Sequence, residues 1–318
     1  MQHITKLICL FIFCGFLTNA QAQSTDTSTL HKRIINRDFN EIYTQNLKVD
    51  TFGNDYGGPN KTMLISDLVG NFVLVNTPKL PFFVVATPEI SIRLFSAAGA
   101  PVKSPSYMPG LAVYFRVNND IYKPKFFSVA YNHHSNGVRG PTLNTNGTFN
   151  TDSGKFTTNF YTLLYHFGMR TDGGNIITNQ YASAGLELHA ALLGLGYAEA
   201  LKDKYGFVRV RGNYIYNLSK RYSDPVEPST KVFDNWMRLQ LDFEYIMDKY
   251  NNYNISDFKK RMNVGAKYYY QLPFMTNTAI MLGGGYRGQD EYNIFFQDSY
   301  AYVTFGIAAG LSFDFHKK

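Results

Sequence analysis

Apolar and polar residues alternate over long stretches of this chain, and a repeat of two is the signature of a strand with one apolar face. Met237, Leu239, Leu241, Phe243 and Tyr245 share one parity, against Arg238, Gln240, Asp242 and Glu244 on the other. Ala184, Leu186, Leu188 and Ala190 alternate with Ser183, Glu187 and His189, and Val264, Ala266, Tyr268 and Tyr270 with Asn263, Lys267 and Gln271. Near the end, Phe305, Ile307, Leu311, Phe313 and Phe315 stand against Thr304, Ser312 and Asp314. A soluble β-sandwich would alternate in the same way. Three features favour a membrane barrel instead. The segments run about 10 to 15 residues, as tilted spanning strands require. The polar parity carries repeated charges, which suits a wet lumen. The last strand closes on Phe313 and Phe315, a terminal aromatic strand of the outer-membrane kind.

The pattern predicts strands near 62–68, 71–76, 82–95, 107–118, 125–136, 157–170, 180–192, 205–217, 234–248, 261–272, 277–287 and 300–315. That is an all-β, 12-stranded antiparallel transmembrane β-barrel over 61–318, and an even number is expected of a bacterial outer-membrane barrel. Residues 23–60 lack periodicity and are expected to form an N-terminal extension or periplasmic segment. With both termini periplasmic, the long connection 137–156 lies outside the cell, and the short turns 76–81 and 272–276 lie inside.

Residues 1–22 are expected to be a secretory signal: Lys6, an apolar run from Leu7 to Leu17, then Ala20-Gln21-Ala22 as the cleavage site. The apolar run is too short to span a bilayer, which takes about 20 residues. Both cysteines, Cys9 and Cys14, lie in that segment, so a mature chain has no disulfide, thiol nucleophile or thiolate metal site. Losing Lys6 takes the net charge from +7 to +6, and no run of Lys or Arg points to nucleic acid.

The chemistry concentrates in Phe126-Phe127-Ser128-Val129-Ala130-Tyr131-Asn132-His133-His134-Ser135-Asn136-Gly137. Phe127, Val129, Tyr131, His133 and Ser135 share a parity that begins apolar, so His133 and Ser135 should face lipid at the outer end of their strand. On the next strand Asn159 shares its parity with Tyr161, Leu163, Tyr165 and Phe167 and should face lipid too. Polar groups on such a face are costly unless paired or used. His134 has the opposite parity and belongs to the lumen or rim, and His189 with Glu187 to a polar lumen network.

This arrangement resembles the outer-membrane phospholipase A family, whose hallmark is His-x-Ser-Asn-Gly ending one strand and an Asn opening the next. Here these are His133, Ser135, Asn136 and Gly137, then Asn159. The segment Pro101-Val102-Lys103-Ser104-Pro105-Ser106-Tyr107-Met108-Pro109 is similar to the family's Pro-x-basic-x4-Tyr-x-Pro stretch, and the similarity spans roughly residues 80–170. The resemblance implies Ser135 as nucleophile, His133 as general base and Asn159 as orienting group. It also implies a calcium ion bound at a homodimer interface, with membrane phospholipids hydrolysed by A1, A2 and lysophospholipase activity. These roles make chemical sense. A serine hydroxyl attacks only when a base takes its proton, and a third group must set the imidazole tautomer. A neutral Asn does this without placing a bare carboxylate in lipid. The Gly137 amide is a candidate oxyanion donor.

The metal site carries over in part. Ala100 stands where the family has a hydroxyl, Val138 displaces the family's Arg to Arg139, and the loop to Asn159 is longer. Asp152, Ser153, Arg139 and backbone carbonyls of the loop are the candidates for the metal site, since calcium takes six to eight oxygens. Two alternatives remain: a non-enzymatic barrel, channel or structural, and a relative that keeps the motif without calcium.

Overall fold

A computed structural model describes residues 48–76, 80–96, 102–120, 122–190, 196–223, 231–275 and 278–310. The expected signal segment, Phe313 and Phe315 lie outside the described residues. The strands are β1 (Asp50–Tyr56), β2 (Thr62–Val69), β3 (Phe72–Asn76), β4 (Phe82–Thr87), β5 (Glu89–Phe95), β6 (Ser106–Tyr107), β7 (Gly110–Arg116), β8 (Lys125–Ser135), β9 (Thr157–Asp172), β10 (Ile176–His189), β11 (Val208–Ser223), β12 (Lys231–Ile246), β13 (Met262–Tyr270), β14 (Thr278–Arg287) and β15 (Tyr300–Ala309). Three pairs are single staves interrupted once: β2 with β3, β4 with β5, and β6 with β7. Their pairings keep one register across each break, as in Val69↔Glu89 and Phe72↔Ala86. Pro109, which has no N–H to give the ladder, sits in the third break.

Each stave is antiparallel to the next, and the ring closes through β1–β15 and β8–β9. The protein is a closed, twelve-stranded antiparallel barrel. Among the described residues no helix is long and apolar enough to cross a membrane; the strands cross instead. The count of twelve matches the expectation through two compensating differences. The expected strands 62–68 and 71–76 are one stave, and the first stave is β1, within the stretch 23–60 read as an extension. Asp50–Tyr56 hides from a periodicity search because it carries Gly53, Asn54 and Asp55 and has few apolar side chains to alternate.

Alternation assigns the faces. Leu186, Leu241, Phe243, Tyr268, Leu282, Val303, Phe305 and Ile307 all point outward and are exposed. Such a belt is stable only under hydrocarbon, where covering a large apolar side chain is worth ~1.5–3 kcal/mol.

The lumen departs from expectation. Two apolar clusters lie toward its inner end, Phe83, Val85, Phe126, Tyr181 and Ile215 in one and Tyr269, Ala279, Met281 and Ala308 with Val49 in the other, with Arg238, Asn217 and His166 buried there too. Its upper half holds paired charges, the buried Arg209 to Glu244 at 2.9 Å and the half-buried Arg211 to the buried Glu187 at 2.7 Å. Loops close the outer end with Phe156, Leu201, Tyr205, Tyr292, Ile294 and Phe296. Of the charges that suggested a wet lumen, Glu187 and Glu244 are ion-paired with Arg209 and Arg211, and Arg238 donates to the Asn217 side chain at 2.9 Å.

Candidate active site

The strand β8 rises to the rim and β9 descends beside it, with His133 directly opposite Asn159 and Ser135 opposite Thr157. The lumen parity of β8 contains the buried Phe126, Ser128 and His134. Phe127, Val129, Tyr131, His133 and Ser135 therefore face outward, as the alternation predicts. Pro109 lies across from His133 on the other side and accepts its backbone N–H at 3.0 Å. Tyr107 pairs with Ser135.

His133 Nδ1 lies 2.8 Å from Asn159 Oδ1, which also accepts from the Tyr131 hydroxyl at 2.7 Å. Asn159 Nδ2 donates to the Gly196 carbonyl, which folds over from the β10–β11 loop. These contacts leave Asn159 only 3% exposed although its strand face is the lipid face. A carbonyl can only accept, so Gly196 takes the amide nitrogen and the amide oxygen turns to His133. Nδ1 must then carry the proton, leaving Nε2 with its lone pair. Ser135 lies two residues on, about 7 Å along the strand by the rise of a β-strand. Among the described residues no hydrogen bond joins its hydroxyl to the ring. Such contacts are often loose without substrate and tighten when it binds.

The turn after Ser135 is held by Asn136, which is 3% exposed. Its Nδ2 donates to the Gly154 carbonyl at 2.8 Å, and its Oδ1 accepts the Phe156 N–H at 2.9 Å. Its own N–H is taken by the Phe156 carbonyl at 3.1 Å, so it cannot serve an oxyanion. Gly137, next along and exposed, can. It has φ of +71°, and a Cβ there would come 3.2 Å from the Tyr107 ring. Both constraints call for glycine.

Behind this face, Ser106 hydrogen-bonds His134 Nε2 in the lumen, both buried. His189 sits 2.8 Å from Glu187, in the lumen network its parity predicts. Neither histidine reaches the outer face. The sequence did not single out Tyr131 as a partner of Asn159, nor Gly196. Tyr131 carried a signal, the parity of His133 two residues away; Gly196 carried none.

The residues suggested for calcium lie in or beside the loop after β8, each with its own partner or exposed to solvent. The Asp152 carboxylate is 77% exposed in its side chain and ion-paired with Lys103. Ser153 Oγ accepts from Asn150 at 3.0 Å, within the loop's own turn. Arg139 is exposed. Among the described residues no group of three or more His, Asp or Glu could hold a metal. Within one chain Asp152 alone supplies a carboxylate here, and it is paired with Lys103, so a cation that takes six to eight oxygens would need backbone carbonyls of the loop or a second copy of the chain as well.

No family model and no curated protein matches the chain. Solved structures do match. In fold the chain resembles outer-membrane phospholipase A. The Escherichia coli enzyme aligns with 11% identity and a TM-score of 0.48, over 85% of this chain and 96% of that one. A Salmonella typhi outer-membrane phospholipase, a dimer with bound calcium, aligns with 12% identity and a TM-score of 0.49, over 85% and 96%. The likeness is one of barrel architecture. The geometry of the outer face is this chain's own.

Proposed function

We propose that this chain is an outer-membrane hydrolase of phospholipid acyl esters, with Ser135 as nucleophile, His133 as general base and Asn159 as the group that orients it. One contact carries the reading: the His133–Asn159 hydrogen bond on the lipid-facing side of two paired strands, two residues from a serine. A polar pair placed there, rather than in the lumen, meets a substrate that arrives sideways through the membrane.

In the reaction Ser135 Oγ attacks the ester carbonyl carbon as its proton passes to His133 Nε2. The developing imidazolium keeps its Nδ1–H on Asn159 Oδ1. The Gly137 N–H is the candidate donor to the oxyanion. Collapse expels the lysophospholipid alkoxide, which takes the proton back from Nε2. Water then enters by the same base, the acyl–oxygen bond to Ser135 breaks, and a fatty acid leaves with the serine proton restored.

Calcium, which the resemblance implies, would draw its oxygens from Asp152, Ser153 and backbone carbonyls of the loop and would supply polarisation of the ester carbonyl. Dimerisation, seen in the Salmonella structure, belongs to the proposal for this chain only as an active form to be tested. The closed outer end of the lumen disfavours the passive channel.

The test is fatty-acid release from phospholipid in detergent micelles. Ser135→Ala is expected to lower it by three orders of magnitude or more, on the scale of triad removal. A serine-directed sulfonyl fluoride is expected to label Ser135. Equal release by Ser135→Ala and the parent would end the hydrolase reading.

A further inference from the structure

The Tyr131 hydroxyl serves neither the fold's core nor the lumen. It lies on the outward face of β8, two residues before His133, and among the described residues its one hydrogen bond goes to Asn159 Oδ1 at 2.7 Å. That oxygen has two lone pairs. His133 Nδ1 takes the other at 2.8 Å, and the amide nitrogen is held by the Gly196 carbonyl. The carboxamide is thus clamped from both ends. If it turned over, its oxygen would meet the Gly196 carbonyl, acceptor against acceptor, and its nitrogen would meet His133 Nδ1, forcing the proton onto Nε2. That is the nitrogen that must be bare to take a proton from Ser135.

We propose that Tyr131 is a positioning residue for the outer-face site: with the Gly196 carbonyl it locks the Asn159 amide, and through it holds His133 in the Nδ1–H tautomer. The proposal rests on the hydrolase reading for its kinetic consequence but not for its structural one. The second aromatic nearby makes the natural control. The Tyr161 ring packs 5.4 Å from Tyr131, centroid to centroid, on the same face, and no hydrogen bond to Asn159 is found for it among the described residues.

The experiment pairs a spectroscopic and a kinetic readout on the full barrel in detergent micelles. In ¹⁵N-labelled protein the His133 ring signals are identified by their loss in His133→Gln. The parent is expected to show a protonated Nδ1 and a bare Nε2. Tyr131→Phe is expected to shift the ring toward Nε2–H. It should also lower kcat by about threefold to tenfold, the scale of one hydrogen bond, with KM within twofold. Tyr161→Phe should match the parent in both. A parent ring protonated at Nε2 when neutral would overturn the proposal. So would a Tyr131→Phe ring that keeps the parent tautomer, whether or not kcat falls. If Ser135→Ala hydrolyses like the parent, the hydrolase reading fails, and the ring signals still judge the role of Tyr131.

Discussion

Removing the Asn136 carboxamide would leave a buried N–H at Phe156 and a buried carbonyl at Gly154 without their side-chain partner. Each such loss costs ~1–3 kcal/mol. Asn136→Ala is therefore expected to unfold several degrees earlier and to slow hydrolysis by loosening the Gly137 turn, read by thermal unfolding and by fatty-acid release. Parent values in both would show the anchor to be idle. Asp152 is the opposite case. Its carboxylate is exposed and paired with Lys103, and exposed pairs contribute little. Asp152→Asn should change hydrolysis less than twofold. A tenfold loss that added calcium reverses would restore Asp152 as a metal ligand. At this scale much was legible. The parity of two strands sufficed to bring His133, Ser135 and Asn159 to one face. Tyr131 shares that parity, but its bond to Asn159 depends on the register of β8 against β9, which no local pattern states. The Lys103 partner of Asp152 was not legible for a related reason: a loop's carboxylate pairs with whichever cation folding brings near, here one about fifty residues earlier in the chain.

The connection between β14 and β15 is the element that shuts the outer end of the barrel. Arg93 grips Asp290 with two hydrogen bonds of 2.6 Å, and the Tyr300 hydroxyl adds a third at 2.8 Å. The Tyr292 hydroxyl then reaches the Ser104 carbonyl at 2.7 Å, tying the loop to the segment that leads into β6 beside the site. Burial pushes the Asp290 carboxyl up, but the charge and hydrogen bonds of Arg93 outweigh it and hold it below its ordinary 3.8. A carboxyl lowered in the folded state adds stability above its unfolded value, and that contribution is lost as pH falls through the depressed one. The loop should accordingly resist protease at neutral pH and open only below about pH 4, while Asp290→Asn should be cut at neutral pH. Equal protection of parent and variant at pH 7 would show that the ion pair does not hold the loop. Nothing in the sequence from Gly288 to Ser299 alternates, so only its polarity was readable, not its place as a lid.

Across the whole molecule, the lumen decides between a pore and a solid scaffold. It is filled by apolar clusters at the inner end, paired charges above them, and aromatic rings at the mouth. A cavity of about 30 Å³ between the β1–β2 and β13–β15 staves, lined by Asp55, Asp67, Lys267 and Arg287 among others, has room for one water. Planar bilayers carrying the protein should show no steady conductance, and a stable open level would contradict the packed lumen. Arg209→Ala should leave the buried Glu187 and Glu244 sharing Arg211 as their cationic partner and take from the buried Gln289 its side-chain donor, destabilising the barrel by ~1–3 kcal/mol, the scale of a buried polar group losing a partner; denaturant unfolding in micelles measures this. Alternation alone was enough to read the strand class, the outward face of the long staves, and the placing of Ser135, His133 and Asn159 on one face at the rim, because side chains of a strand alternate whatever surrounds them. That Asp50–Tyr56 completes the ring, that apolar clusters fill parts of the interior, and that Gly196 and Tyr131 clamp Asn159 emerged with the folded chain. Those depend on ring closure and on contacts between residues far apart in the chain, and a repeat of two carries no information about either.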